Sequence, residues 1–190
     1  LAVEVNLMLP LDVVTSSGLK NKGQLQNDFN KMKSGGVAGA MCDVWWGLVE
    51  TSPKSYNFQP YLEMVQLAKN AGLKMQFVMS FHKCGGNVGD TCDIPIPQWA
   101  RSAGSSEQSY FKDREGNTND EYINFAMDEK AVFQGRTARQ LYKDFMTAFK
   151  NAFQSYINDG TINEIQVGMG PCVETRYPSY PLSRWSYCGV

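Results

Sequence analysis

The chain has 190 residues, 43% hydrophobic and 19% charged, which is enough for a full core and excludes disordered, collagen-like and membrane-spanning chains. Eighteen basic against nineteen acidic side chains leave a net charge of −1, and without a basic run there is no footprint for a nucleic-acid backbone. An aromatic share of 12%, with four Trp and nine Tyr, leaves sugars and other ring-bearing ligands open.

The elements alternate along the chain. The apolar run Val5 to Leu11 carries Pro10 near its end and meets Asp12, which reads as a short buried strand leaving its sheet. After a polar turn, Leu25, Phe29 and Met32 fall on one helical face that stops at Ser34-Gly35-Gly36. Val37 to Val44 is the next strand, closed by Trp45-Trp46-Gly47. A second helix opens with Pro60, carries Tyr61, Met64, Val65 and Ala68 on one face, and ends at Gly72. In Leu73 to His82 the odd positions are all apolar, while Lys74, Gln76, Ser80 and His82 share the other face with Val78, so one face packs on helices and the other leads to something polar. Thr137 and Gln140 have capping-box spacing, and Tyr142, Phe145, Met146, Phe149 and Phe153 then run at helical period to Asp159-Gly160. Ile162 to Met169 is a fourth strand.

This βαβαβαβ order predicts an α/β fold with a parallel sheet, right-handed crossovers and binding chemistry at the carboxyl ends of the strands. Polar residues stand at each end: Asp12, Asp43, His82 and the segment after Gly170. The connection from 81 to 133 is far longer than such units need and reads as a functional excursion. Five cysteines at irregular spacing predict no disulfide framework, although a single Cys84–Cys92 bridge stays open. With His82 the sole histidine, no zinc spacing exists and neither a metal nor a cofactor is expected. Leu1 to Pro10 lacks the length and basic flank of a signal peptide.

Gly168-Met169-Gly170 begins like a dinucleotide fingerprint, but Val173 stands at its last position and Pro171, Pro178 and Pro181 oppose a helix, so that reading fails. Taken singly, Asp43 reads as a strand-end turn residue over a buried aromatic pair, His82 as a core or capping histidine, Glu174 as a solvated acid, and Cys84 to Asp90 as a surface turn. Their shared location at the strand ends is what joins them.

Four strings go further: Asp43-Val44-Trp45-Trp46-Gly47; Ser80-Phe81-His82-Lys83-Cys84-Gly85-Gly86-Asn87-Val88-Gly89-Asp90; Ile94-Pro95-Ile96-Pro97-Gln98-Trp99; and Gly168-Met169-Gly170-Pro171 continuing to Glu174, Arg176 and Tyr177-Pro178-Ser179-Tyr180-Pro181. In order and spacing they resemble the beta-amylases, glycoside hydrolase family 14, from about Val5 to Pro181, with Gly135-Arg136-Thr137-Ala138 included. The resemblance implies a (β/α)8 TIM-barrel enzyme, of which residues 1–190 supply about the first four strands. It implies release of maltose, with inversion, from the non-reducing ends of starch-type α-1,4-glucans. By the same resemblance Glu174 is the general acid, and Asp43, His82 and Asp90 hold the terminal glucose units. Gly85, Gly86, Asn87, Val88 and Gly89 belong to a lid loop, and the Arg176 to Pro181 string presents the acid.

Departures from the family pattern are Cys172 and Val173, where small residues precede the acid, and Gln134 in place of His. Inversion also needs a second carboxylate to activate water, and the resemblance puts that base in a C-terminal half outside these residues. The expected partner is therefore an α-glucan such as starch or maltodextrin, with these 190 residues inactive alone and prone to self-association through unpaired edge strands. The competing expectations are a catalytically silent maltodextrin-binding protein, holding its ligand through Asp43, His82, Asp90 and the tryptophans, and a different α/β enzyme that pairs Glu174 with Asp43.

Overall fold

The computed structural model describes residues 3–85, 90–104, 109–112 and 116–170. Strand β1 (Asn6–Met8) leads into a small antiparallel hairpin, β2 (Val14–Thr15) and β3 (Gly18–Leu19), where the sequence predicts a plain polar turn. Helix α1 (Lys22–Ser34) buries Leu25 and Phe29 and places Lys31 and Lys33 in its last turn, where their charge favours the exposed carbonyls. Strand β4 (Gly39–Trp45) runs straight into one helical turn, α2 (Trp46–Val49). Helix α3 (Gln59–Asn70) carries Pro60 in its first turn, where the missing N–H costs nothing, and buries the face Tyr61, Met64, Val65 and Ala68. Strand β5 (Lys74–Ser80) follows.

The long excursion is itself structured. It contains α4 (Gln98–Ala103), an antiparallel pair β6 (Tyr110–Lys112) and β7 (Thr118–Ile123), and a 3-10 turn at Phe125–Met127. Helix α5 (Ala138–Asn158) then starts on the predicted capping box. The Thr137 hydroxyl accepts from the Gln140 amide at 3.2 Å, and the Gln140 side-chain oxygen accepts from the Thr137 amide at 2.8 Å. Strand β8 (Ile162–Val167) follows α5.

Four of these strands form one parallel sheet in the order β1-β4-β5-β8, with Asn6 opposite Gly39, Asp43 opposite Val78, Trp45 opposite Ser80 and Met79 opposite Val167. Strand order follows chain order, and right-handed crossovers in that order put the connecting helices α1, α3 and α5 on one face. That is the winding of a barrel wall, not of a doubly wound sheet. The helix face carries the core: Ala40, Cys42 and Val44 of β4 and Met75, Phe77 and Met79 of β5 pack on Phe29, Val65, Phe145, Phe149 and Phe153. Phe149 and Phe153 stack at 4.3 Å, and Phe77 meets Phe149 edge-on at 5.6 Å. Each such side chain contributes roughly 1.5–3 kcal/mol of burial.

The two edge strands are less well covered. Leu7 on β1 is 44% exposed, and Ile165 and Val167 on β8 are 43% and 50% exposed. Among the described residues no helix is long and apolar enough to cross a membrane.

Candidate functional site

Asp43 lies near the carboxyl end of β4 and is buried. Strand alternation puts it on the face opposite Cys42 and Val44, away from the helices. Its register brings it beside β5, where the Ser80 hydroxyl donates to Asp43 Oδ1 at 2.5 Å between two buried groups. The other carboxylate oxygen, Oδ2, is buried with no hydrogen-bond partner among the described residues. Burial pushes the Asp43 carboxyl above its usual range, and the Ser80 bond pulls it back down.

Two residues beyond Ser80 the chain has left β5, and His82 sits against Trp45 with ring centroids 5.0 Å apart. His82 is 7% exposed and its Nδ1 is also without a partner among the described residues. Burial lowers its imidazole to about 4, countered in part by the Asp90 charge. The ring is therefore neutral at pH 7, with one nitrogen donating and one accepting. Asp90 is half-buried, and its Oδ2 accepts from the Gly85 amide at 3.1 Å. Of the three residues that the family resemblance joins, Asp43 bonds Ser80, His82 packs on Trp45, and the Asp90 charge acts on His82.

Cys84 and Cys92 form a disulfide, which settles the pairing that the sequence leaves open. Around it Cys84 and Ile94 exchange backbone hydrogen bonds of 2.9 and 3.0 Å, so the segment leaving β5 returns as a closed loop. Gly85 sits inside this loop at φ 118°, and a Cβ there would crowd the Cys92 carbonyl, so glycine is required. Cys84, Cys92 and Asp90 present ligand atoms within 4.8 Å of one another. The two sulfurs are already bonded to each other, and a metal needs thiolates.

The excursion is anchored next to the site. Gly47 lies against the Pro95 carbonyl, with which any Cβ would overlap. Glu50, fully buried just after α2, accepts from Trp46 Nε1 at 2.7 Å and from Arg136 Nη2 at 3.2 Å, and its backbone carbonyl accepts from Trp99 Nε1 at 2.8 Å. The Arg136 guanidinium also lies 5.2 Å over the Trp99 ring. Pro95 and Trp99 of the excursion, and Arg136 just beyond it, are thereby tied to α2 and Glu50, which follow directly on the strand that carries Asp43.

Trp45 and Trp46 do not offer flat surfaces to a ligand. Trp45 is 2% exposed and donates its Nε1 to the Leu11 carbonyl, and Trp46 is wholly buried among Phe81, Trp99 and Tyr142. Their part in holding a sugar, one of the expectations above, is replaced by wall-building. Glu174, Gly86, Asn87, Val88 and Gly89, with Cys172, Val173, Arg176 and the Tyr177 to Pro181 string, lie outside the described residues. Sequence reasoning missed two members of the site. Ser80 was legible as sharing a face with His82 but not as the partner of Asp43, and Glu50 carried no signal beyond its spacing of four from Trp46.

Among the described residues, the carboxyl end of the central strands offers a carboxylate acceptor and a neutral imidazole, each with a buried atom that lacks a hydrogen-bond partner. Such groups suit a neutral, hydroxyl-rich ligand.

The model of glycosyl hydrolase family 14 matches residues 6–190. Beta-amylase Tri a 17 of Triticum aestivum is 45% identical over 192 residues, covering 99% of this chain and 38% of that protein. Chloroplastic beta-amylase 1 of Arabidopsis thaliana is 47% identical, covering 99% of this chain and 33% of that protein. The crystal structure of the catalytic domain of beta-amylase from Paenibacillus polymyxa superposes with a TM-score of 0.78 at 34% identity, covering 98% of this chain and 42% of that one. The chain therefore spans well under half the length of each of these relatives.

Proposed function

The chain belongs to glycosyl hydrolase family 14, and from that membership we propose that it forms the glucan-holding part of a beta-amylase that releases maltose from the non-reducing ends of α-1,4-glucans with inversion. One observation supports this reading more than any other. Among the described residues Asp43 Oδ2 and His82 Nδ1 are buried polar atoms without a hydrogen-bond partner, at and just beyond the carboxyl ends of adjacent strands, the place where a barrel of this winding binds its ligand. Unpaired buried polar atoms are expensive and are kept where a ligand completes them.

In this reading Asp43, His82 and Asp90 accept and donate to the hydroxyls of the terminal glucose units. The Gly85 to Asp90 loop, closed at its base by the Cys84–Cys92 disulfide, covers them. Glu174 protonates the glycosidic oxygen as the bond to the leaving glucan breaks, while water adds to the anomeric carbon from the opposite face and gives its proton to a second carboxylate. By the family resemblance that second carboxylate belongs to the C-terminal half of the barrel, and residues 1–190 supply glucan binding and the acid. The edge strands β1 and β8, with their exposed Leu7, Ile165 and Val167, draw copies of the isolated chain into self-association.

The test is calorimetric titration of the chain with maltotetraose. Saturable binding that falls at least about tenfold in Asp43→Ala, a loss of one charge-assisted hydrogen bond, supports the reading. Equal affinity in both proteins contradicts it. The role of Glu174 is tested in a chain extended by a family C-terminal half, where Glu174→Gln is expected to abolish maltose release from soluble starch and to leave binding within a few-fold.

A further inference from the structure

A serine with two acceptors stands behind Asp43. Ser80 is wholly buried, and its hydroxyl oxygen lies 2.5 Å from Asp43 Oδ1 and 3.3 Å from the carbonyl of Val78, two residues back on the same strand. A hydroxyl has one proton to give. The contact to Asp43 is the shorter and is charge-assisted, so it takes that proton while the carboxyl is ionised. If Asp43 were protonated, the carboxyl would donate to the hydroxyl instead, and Ser80 would turn its proton to Val78. The orientation of one hydroxyl is therefore coupled to the charge of the carboxyl beside it.

We propose that Ser80 is a positioning residue for Asp43: by donating to Oδ1 it keeps the carboxyl ionised and fixed, and dedicates Oδ2 to accepting a hydroxyl of the bound glucan. The inference rests on the glucan-binding reading above. Three further observations support it. Asp43 Oδ2 has no partner among the described residues. Asp43 has no basic partner among the ion pairs of the described residues, and of the two hydrogen bonds that favour its charge against burial, the Ser80 hydroxyl is the larger influence and its own backbone amide the smaller. The Cys42 thiol on β4 and the Tyr61 hydroxyl on α3 both feel the Asp43 charge, and burial and that charge together hold both protons on. Neither neighbour stands in for Ser80 as a donor to the carboxylate: the Cys42 thiol lies against the Asp43 backbone carbonyl, and the Tyr61 hydroxyl accepts from the Trp45 amide.

The experiment is a double-mutant cycle on the full chain with two readouts, titration of the Asp43 carboxyl by NMR with carboxyl-labelled aspartate and affinity for maltotetraose by calorimetry. In Ser80→Ala we expect Asp43 to titrate about one pH unit higher or more, and affinity at pH 7 to fall about tenfold. In an Asp43→Asn background, where the charge is already gone, adding Ser80→Ala is expected to change affinity by less than about twofold, because the serine acts through the carboxylate. Ser80→Thr, which restores the hydroxyl, is expected to recover both readouts. If Ser80→Ala unfolds, Ser80→Cys, of similar volume with a weak donor, is read in its place.

An Asp43 titration unmoved by loss of the hydroxyl overturns the role of Ser80 whatever binding does, and so does a loss of affinity that is equal in both backgrounds. An absence of maltotetraose binding in the wild-type chain overturns the glucan reading. The titration arm reports on the Ser80–Asp43 coupling independently, so the two failures are told apart.

Discussion

Phe77 on β5 and Ile165 on β8 are register partners on the same face of the same sheet, yet Phe77 is fully buried and Ile165 is 43% exposed. Both strands have alternating apolar residues, and nothing in the local pattern separates them. The difference comes from what covers each strand: α3 and α5 lie over the centre, whereas the apolar face of β8 beyond Ile162 has no comparable cover among the described residues. Among the described residues of the candidate site, Asp43, Ser80 and His82 sit on the covered centre, at or just beyond the ends of β4 and β5. A site that holds a carboxylate and a histidine out of water needs rigid support, and the centre supplies it.

The strongest way to break this comparison is to truncate both partners. Phe77→Ala is expected to cost about 3–5 kcal/mol in urea denaturation, and Ile165→Ala under about 1 kcal/mol. Similar losses would mean that the edge is covered in solution. A second contrast sets the buried pair Glu50–Arg136, with side chains 0% and 9% exposed, against the surface pair Asp12–Lys20, 32% and 47% exposed. Glu50→Ala leaves a buried guanidinium without its main partner and is expected to cost about 3–5 kcal/mol. Asp12→Ala is expected to cost no more than about 1 kcal/mol, with thermal melts as the check.

His82 gives the comparison a pH axis. Its imidazole titrates at about 4 when folded and near 6.5 when unfolded, so the unfolded chain takes up the proton first. The stability tied to neutral His82 is whole above pH 6.5 and is lost as pH falls toward 4, about 3 kcal/mol across the window. Asp43 acts with the opposite sign, since its raised carboxyl favours the folded state at acid pH and loses that contribution as pH rises. The difference between wild type and His82→Gln isolates the histidine, and we expect the variant's stability to fall less between pH 6.5 and 4. Parallel curves would place His82 in contact with solvent. The smallest effect on stability is expected at the edge. Val167→Lys should leave the melting temperature nearly unchanged and reduce self-association in sedimentation velocity, because a charge on an exposed strand blocks edge pairing. Unchanged association would move the contact elsewhere.

The sequence was most legible where period and capping act locally. Thr137 and Gln140 predicted the start of α5 because both capping bonds lie within one turn, and the alternation in Leu73 to His82 predicted which face of β5 meets the helices. It was less legible where distant segments meet. The β6–β7 pair was missed because Thr118–Ile123 reads as polar chain with no alternation. The bridge between Cys84 and Cys92 depends on the return of the chain at Ile94, which a cysteine count does not reveal. The burial of Trp45 and Trp46 is a matter of what folds over them. Ser80 became part of the site only through the register that sets it opposite Trp45, since a shift of one residue would turn its hydroxyl to the helix layer.

The most direct test of a glucan site on the covered centre is an NMR titration of the chain with maltotetraose. We expect saturable shifts at the His82 ring and the Asp43 and Asp90 carboxyls, with the methyl signals of Ile165 and Val167 unmoved. Shifts centred on Ile165 and Val167, or no saturable change at His82 and Asp43, would contradict it.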